Sequence, residues 1–206
     1  DSEPEIAVAL LETLAAHGRV TVDAIDLDVV AVLLGHRSED CRRAAVGTLL
    51  DLGASAPESR PAVVRYLRWA RHDDAEDVRT RALAALGTAG ELRPASAPTV
   101  VDALVAHLVE YPADATAVAA ALRAVADETP AVGPAVVDRI VGRAESGELP
   151  QAVASECIGE FGVARPEALV DAVDVLVEWA TAGPDEVGVD ASRAVLALAE
   201  ASLSVV

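Results

Sequence analysis

Apolar residues return at three- and four-residue intervals along nearly the whole chain, and no sustained two-residue alternation bounded by hairpin turns interrupts them. Pro, Gly, Asp and Ser break the pattern every 15 to 20 residues, the length of one helix and a turn. The pattern predicts about eleven helices and no sheet. Within it one motif recurs: a small residue followed by apolar residues one and four positions later. The copies are Ala45, Val46, Leu49; Ala82, Leu83, Leu86; Ala121, Leu122, Val125; Cys157, Ile158, Phe161; and Ala194, Val195, Leu198, at spacings of 37, 39, 36 and 37. A weaker copy at Ala7, Val8 and Leu11 precedes the first by 38 residues.

A second series alternates with the first. It reads PAVVRYLR from Pro61, PTVVDALV from Pro98, PAVVDRIV from Pro134 and VDAVDVLV from Val170, with AIDLDVVAVLL, Ala24 to Leu34, as a degenerate first member. Proline is tolerated in a first helical turn because its missing N–H would have had no intrahelical partner there. Two helices therefore alternate in a unit of about 37 residues. One such pair cannot bury its own apolar face, whereas stacked neighbours share a continuous core.

A proline-started helix alternating with one that carries D-V-R-x-x-A-like residues resembles the HEAT-repeat family of α-solenoids, over nearly the whole chain. The family pattern places an Asp six positions before an Arg of the second helix. Asp73 and Arg79 fit it; Arg42 has His36 at that place, and the last three units carry Val118, Ala154 and Ala191 instead of Arg. The resemblance implies an all-α fold: one right-handed α-solenoid over residues 1–206, with about five helix pairs at 24–54, 58–90, 96–128, 132–163 and 167–202. An unpaired helix over 4–17 precedes them, either as a cap or as a remnant of a longer array. Tetratricopeptide repeats are opposed by the absence of their period and aromatic landmarks, and armadillo repeats by the lack of room for a third helix.

Composition narrows the function classes. Hydrophobic residues make up 52%, yet there are one Phe, two Tyr, two Trp and no Met, so Ala, Val and Leu must fill the core. Thirty-four acidic residues oppose sixteen basic ones, all Arg, for a net charge of −18. Excess carboxylate without lysine resembles the cytoplasmic proteins of salt-accumulating archaea, where like charge keeps proteins hydrated and apart; a GC-rich genome would also deplete lysine. No apolar run approaches the ~18 residues of a membrane span and no positively charged leader is evident, so the expectation is a cytoplasmic protein without membrane contact.

Catalytic groupings are not evident. His17, His36, His72 and His107 have no second His or Cys one helical turn away, so no metal site is expected, and all four read as solvated or helix-terminal. Some HEAT-like enzymes hold iron with His-Glu pairs, but the residues following these histidines are Gly18, Arg37, Asp73 and Leu108. Cys41 and Cys157 read as buried thiols acting as small hydrophobes, and Glu156 with Glu160 as a solvated face. The expectation is a protein that is not an enzyme and binds no cofactor.

Charge distribution carries more weight. From Arg37 to Arg93 ten Arg meet nine acids, +1, while the rest of the chain is −19. In that band Arg42 and Arg79 occupy the same repeat position, flanked by Arg43 and Arg81. Second helices line the concave face of a solenoid, so these four are the candidate partner-binding residues, suited to carboxylates of an acidic peptide or helix. The competing reading has Arg42 and Arg79 bridging Asp40, Asp73 and Asp77 to hold repeats in register. On the outer helix, Arg65, Arg68 and Arg71 recur at i+3, with Trp69 in cation–π reach of Arg65. The leading function is a non-catalytic protein-interaction scaffold. A nucleic-acid role, implied by HEAT-like DNA-repair glycosylases, is opposed by the acidity and aromatic shortage, and no residue points to the tetrapyrrole of HEAT-like bilin lyases.

Overall fold

The computed structural model describes residues 27–92, 94–182 and 185–203. The expected helix over 4–17, the weak motif copy at Ala7, Val8 and Leu11, and His17 lie outside them. The described residues form ten α-helices and no strand: α1 Leu27–Val32, α2 Glu39–Ser55, α3 Arg60–Ala70, α4 Glu76–Leu92, α5 Ala97–Glu110, α6 Ala115–Glu128, α7 Gly133–Glu145, α8 Gln151–Ala164, α9 Val173–Ala182 and α10 Asp185–Leu203.

Helix ends follow from proline chemistry. Ala56, Tyr111, Thr129 and Arg165 each end a helix in an extended or bridging conformation, and each precedes a proline. The ring of Pro57, Pro112, Pro130 or Pro166 disfavours helical backbone at the residue before it, so the preceding helix stops there. A 3-10 turn then begins on that proline and leads into the next helix. Pro61, Pro98 and Pro134 sit in the first turns of α3, α5 and α7, as the sequence pattern predicts. At the end of α7 the chain reverses through Gly147 at φ 76°. The amide of Glu148 donates to Arg143 O (3.0 Å) and that of Gly147 to Ala144 O (3.1 Å), a Schellman closure that favours glycine at the left-handed position.

The chain divides into two compact units, Asp1–Arg93 and Pro94–Val206. In the first, α2 packs on both α3 and α4, α3 packs on α4, and α1 lies on α2 and α3. The recurring anchors Ala45 and Ala82 are fully buried, with Val46, Leu49, Leu83 and Leu86 around them and Val63 and Leu67 from α3. Small anchors let helix backbones approach, and each enclosed Leu or Val contributes about 1.5–3 kcal/mol of burial.

In the second unit α5 packs on α6 and α7, α6 on α8, α7 on α8, and both α8 and α9 on α10. Ala121, Leu122, Val125, Cys157, Ile158, Phe161 and Ala194 are buried here, beside Leu104, Ile140, Leu169 and Leu176. Two glycines set the spacing: a Cβ on Gly162 would fall 2.6 Å from Leu169 Cδ1, and one on Gly133 2.9 Å from Ala168 Cβ. The final motif copy departs from the rest, because Val195 and Leu198 are only half-buried.

Candidate functional site

The turn between α3 and α4 positions the arginine band. Asp73 Oδ1 accepts the Ala75 amide at 2.9 Å, capping the approach to α4, while Arg79, one turn into that helix, donates to the carbonyls of Asp73 (3.1 Å) and Asp74 (3.0 Å). The turn before α2 repeats this arrangement. There Arg42 donates to His36 O at 2.9 Å and, more weakly, to Arg37 O at 3.4 Å. His36 Nδ1 takes the role of the Asp73 carboxylate and accepts the Ser38 amide at 3.0 Å, which fixes it as the unprotonated ring nitrogen. What the sequence shows as a mismatch at His36 is a chemical equivalent.

Arg42 also joins the two repeats. Its Nε and Nη2 donate to Asp73 Oδ2 and Oδ1 at 2.6 and 2.9 Å, a bidentate pair whose side chains are 17% and 9% exposed. Burial pushes the Asp73 carboxyl upward, but the hydrogen bonds from Arg42 and the Ala75 amide outweigh it and hold the group below the ordinary carboxylate range. The same bond raises the Arg42 guanidinium above its ordinary value.

Of the four candidate arginines, then, Arg42 and Arg79 are engaged inside the fold. Arg43 pairs with Asp40 on its own helix and, at 3.5 Å, with Asp77 on α4, so the acids expected around Arg42 and Arg79 are shared differently: Asp73 goes to Arg42, Asp40 and Asp77 to Arg43. Arg81 is exposed and has no ion-pair partner among the described residues. It lies over Gly47, where an added Cβ would come 2.7 Å from its Nη2. Beside it runs a shallow groove of about 220 Å³ between α2 and α4, floored by Val46, Gly47, Leu50, Ala84 and Ala85. Partial burial pushes the Asp51 carboxyl on the groove wall upward, and Arg81 pulls it part of the way back.

Three expectations change. Arg65 stacks on Tyr66, 4.8 Å from the ring centroid, rather than on Trp69, and the Tyr66 hydroxyl donates to Asp28; that bond raises the Tyr66 pKa above its ordinary value. Arg71 is buried, because the turn after α3 folds it inward, so it is not part of a solvated arginine stripe. His107 is helix-terminal, in the last turn of α5, but not solvated: it is fully buried, with Nε2 2.8 Å from Asp114 Oδ2 and its ring stacked on Tyr111 at 4.7 Å. Pro112 stops α5 and returns Asp114 to the ring. The signal was present, since His107 stands seven residues after Val100 and three after Leu104, on the core face.

The remaining groups are plain. Cys41 and Cys157 are both buried thiols, and burial pushes the Cys157 thiol up to about 12. Glu156 and Glu160 are partly engaged between helices, accepting from Thr116 (3.2 Å) and Arg193 (2.8 Å). Among the described residues no three His, Cys, Asp or Glu side chains come together to hold a metal ion, and no helix is long and apolar enough to cross a membrane.

No family model matches the sequence, and no curated protein matches it. Among solved structures, a crystal structure of an engineered protein is similar at 22% identity, covering 97% of this chain and 92% of that chain, with a TM-score of 0.44. At that score the likeness carries no argument about fold or function.

Proposed function

We propose that the chain is a HEAT-like α-solenoid working as a non-catalytic scaffold, which takes an acidic peptide or helix along the surface formed by its second helices. The observation that carries this reading is Arg81: an exposed guanidinium without an ion-pair partner among the described residues, seated on Gly47 beside an apolar groove. A planar fork of donors next to a floor of Val, Leu and Ala suits a carboxylate flanked by a small apolar side chain. Arg43 stands on the same helix pair and can exchange its exposed acids for a partner's. Arg42 and Arg79 hold the turns that position α2 and α4. The acidity and the absence of lysine support a salt-adapted, cytoplasmic setting for this scaffold.

The test is selection from a displayed random-peptide library, followed by fluorescence anisotropy on the enriched sequences. Acidic consensus peptides should emerge, and Arg81→Glu should weaken them by about tenfold or more, the loss of one charge-assisted contact. Arg139→Glu, on the first helix α7, should leave them unchanged. Enrichment without acidic character, equal binding by Arg81→Glu, or tighter binding of duplex DNA than of any peptide would each defeat the proposal.

A further inference from the structure

Helix α10 buries one side against α8 and α9 and carries on another face Val189, Leu196 and Leu203, which are 62%, 59% and 77% exposed. Seven residues fall about 20° short of two helical turns, so these three form one continuous stripe. The repeat register shows how unusual the stripe is. Two positions after each motif anchor the chain has Gly47, Ala84, Arg123, Gly159 and Leu196. At two of these positions the slot lies against the next second helix of the same unit: Gly47 takes Arg81, and Gly159 takes the backbone of Asp190. In α10 the slot holds a large apolar residue that is 59% exposed and borders an open groove beside Val163 and Pro166.

A helix-pairing seam carries apolar residues at two positions in seven; α10 supplies one of them, a narrow strip flanked by small and charged residues that can receive another helix. The charges beside the seam say which one. Arg193 and Glu200 lie along the same edge of the stripe, and Ser192 and Ala199 along the other. Pairing α10 antiparallel with a second α10, about a two-fold at Leu196, keeps each edge on its own side and reverses direction. Arg193 then faces Glu200 of the second copy, and Glu200 faces its Arg193, while Val189 meets Leu203. A parallel pair would set the charged edge against Ser192 and Ala199 and gain nothing. In the monomer Arg193 already reaches Glu160 (2.8 Å) and Asp190 (3.4 Å), whereas Glu200 has no ion-pair partner among the described residues. A groove of about 410 Å³ bordered by Val163, Pro166, Leu196 and Ala197 opens beside the seam and gives the incoming side chains room.

We infer that a second copy of this chain docks on α10, forming an antiparallel, two-fold dimer centred on Leu196. The 19-residue helix is roughly 28 Å long, so one helix pair buries less than the ~1,200 Å² of a stable specific interface, and the dimer is weak and concentration-dependent.

Sedimentation equilibrium on the full chain, from about 10 μM to 1 mM, tests it, because weak interfaces populate only in the upper part of that range. The weight-average mass should rise toward the dimer. Leu196→Ser, at an exposed position, should weaken association by about tenfold or more with the circular dichroism spectrum unchanged. Glu200→Arg alone should weaken it, as should Arg193→Glu alone. A mixture of those two single variants should associate again, because only the antiparallel heterodimer pairs Glu with Arg at both ends. A constant monomer mass, which would leave the stripe to a different chain, overturns the inference. So does association unaffected by Leu196→Ser, or a mixture no stronger than its components.

Discussion

Removing the Arg42–Asp73 pair should cost more than any other exposed or half-exposed ion pair in the first unit. The two bonds are 2.6 and 2.9 Å long, and both side chains are mostly covered. A hydrogen bond to a charged group contributes about 1.5–3 kcal/mol net, and a surface pair about 0–1 kcal/mol. Arg42→Met keeps the stem but removes the fork, together with the bond to His36 O, and should destabilise by about 2–3 kcal/mol. Asp73→Asn retains an oxygen for the Ala75 amide and loses the charge, at a cost of about 1–2 kcal/mol. In the double variant the second change has less left to remove, so a double-mutant cycle should return a coupling of about 1–1.5 kcal/mol. The same cycle on Arg43 and Asp77, whose side chains are 39% and 71% exposed, should return less than about 0.5 kcal/mol.

The assay is urea unfolding followed by circular dichroism at 222 nm, with all four proteins of each cycle measured at low and molar salt. A covered pair is screened little, so the Arg42–Asp73 coupling should largely survive the salt while the Arg43–Asp77 coupling vanishes. A coupling below about 0.5 kcal/mol for Arg42 and Asp73, or one lost in salt, would refute the reasoning that Arg42 is held inside the fold. It would return that side chain to the partner-binding set.

Two glycine substitutions should move stability in opposite directions: Gly162→Ala drives a methyl into Leu169 and should cost about 1–3 kcal/mol, whereas Gly142→Ala, with nothing within 4 Å, should gain up to about 1 kcal/mol, both read as shifts in urea midpoint. Because the folded-state pKa of Asp73 lies below its unfolded value, its contribution is whole above about pH 5 and is lost as pH falls through the folded pKa; unfolding curves for Arg42→Met between pH 6 and 3 should show a smaller acid loss than the parent. His107→Leu leaves the Asp114 carboxylate buried without its ring partner and should cost about 3–5 kcal/mol, while His107→Leu with Asp114→Ala should recover part of that in the same unfolding assay. Raising KCl to molar concentration should raise the thermal midpoint by screening a net charge of −18, and a midpoint that falls with salt would count against the salt-adapted reading.

Some of this was legible in the chain, and the reasons are physical. The anchors Ala45, Ala82, Ala121, Cys157 and Ala194 stand out because close helix packing leaves little choice of side chain, and all five are buried. The prolines of α3, α5 and α7 are legible because only a first turn tolerates them. Arg42 and Arg79 could be aligned by register, and the bridge from Arg42 to Asp73 was among the readings, but the rest of their bonding could not be read: those acceptors are backbone carbonyls, which carry no residue identity. His36 looked like a broken motif because an imidazole nitrogen and a carboxylate oxygen share an acceptor role without sharing a letter. The burial of His107 and its pairing with Asp114 were missed for the opposite reason, since a single polar residue in an apolar run gives no sign of its partner until Pro112 turns the chain back.

The same slot is used in two ways along the chain. In the first unit it holds Arg42 and Arg79, whose guanidinium groups tie the first turn of a second helix to the carbonyls of the loop before it. In the second unit it holds Val118, Ala154 and Ala191, each fully buried, so there the slot acts by packing and the polar ties, such as Ser155 to Val187 O and Arg165 to Ala126 O, come from other positions. Packing sets spacing but tolerates sliding, whereas a bidentate pair fixes direction as well as distance. A unit tied by polar bonds can therefore present α2 and α4, with Arg43 and Arg81 between them, in a constant register toward a ligand. The second unit has Arg123, Gly159 and Leu196 where the first has Gly47 and Ala84, so its last helix presents an apolar stripe where the first unit presents Arg43 and Arg81. One framework thus yields two surfaces of different chemistry, and a substitution that disables one should leave the other intact: Arg81→Glu should not alter self-association, and Leu196→Ser should not alter binding of an acidic peptide.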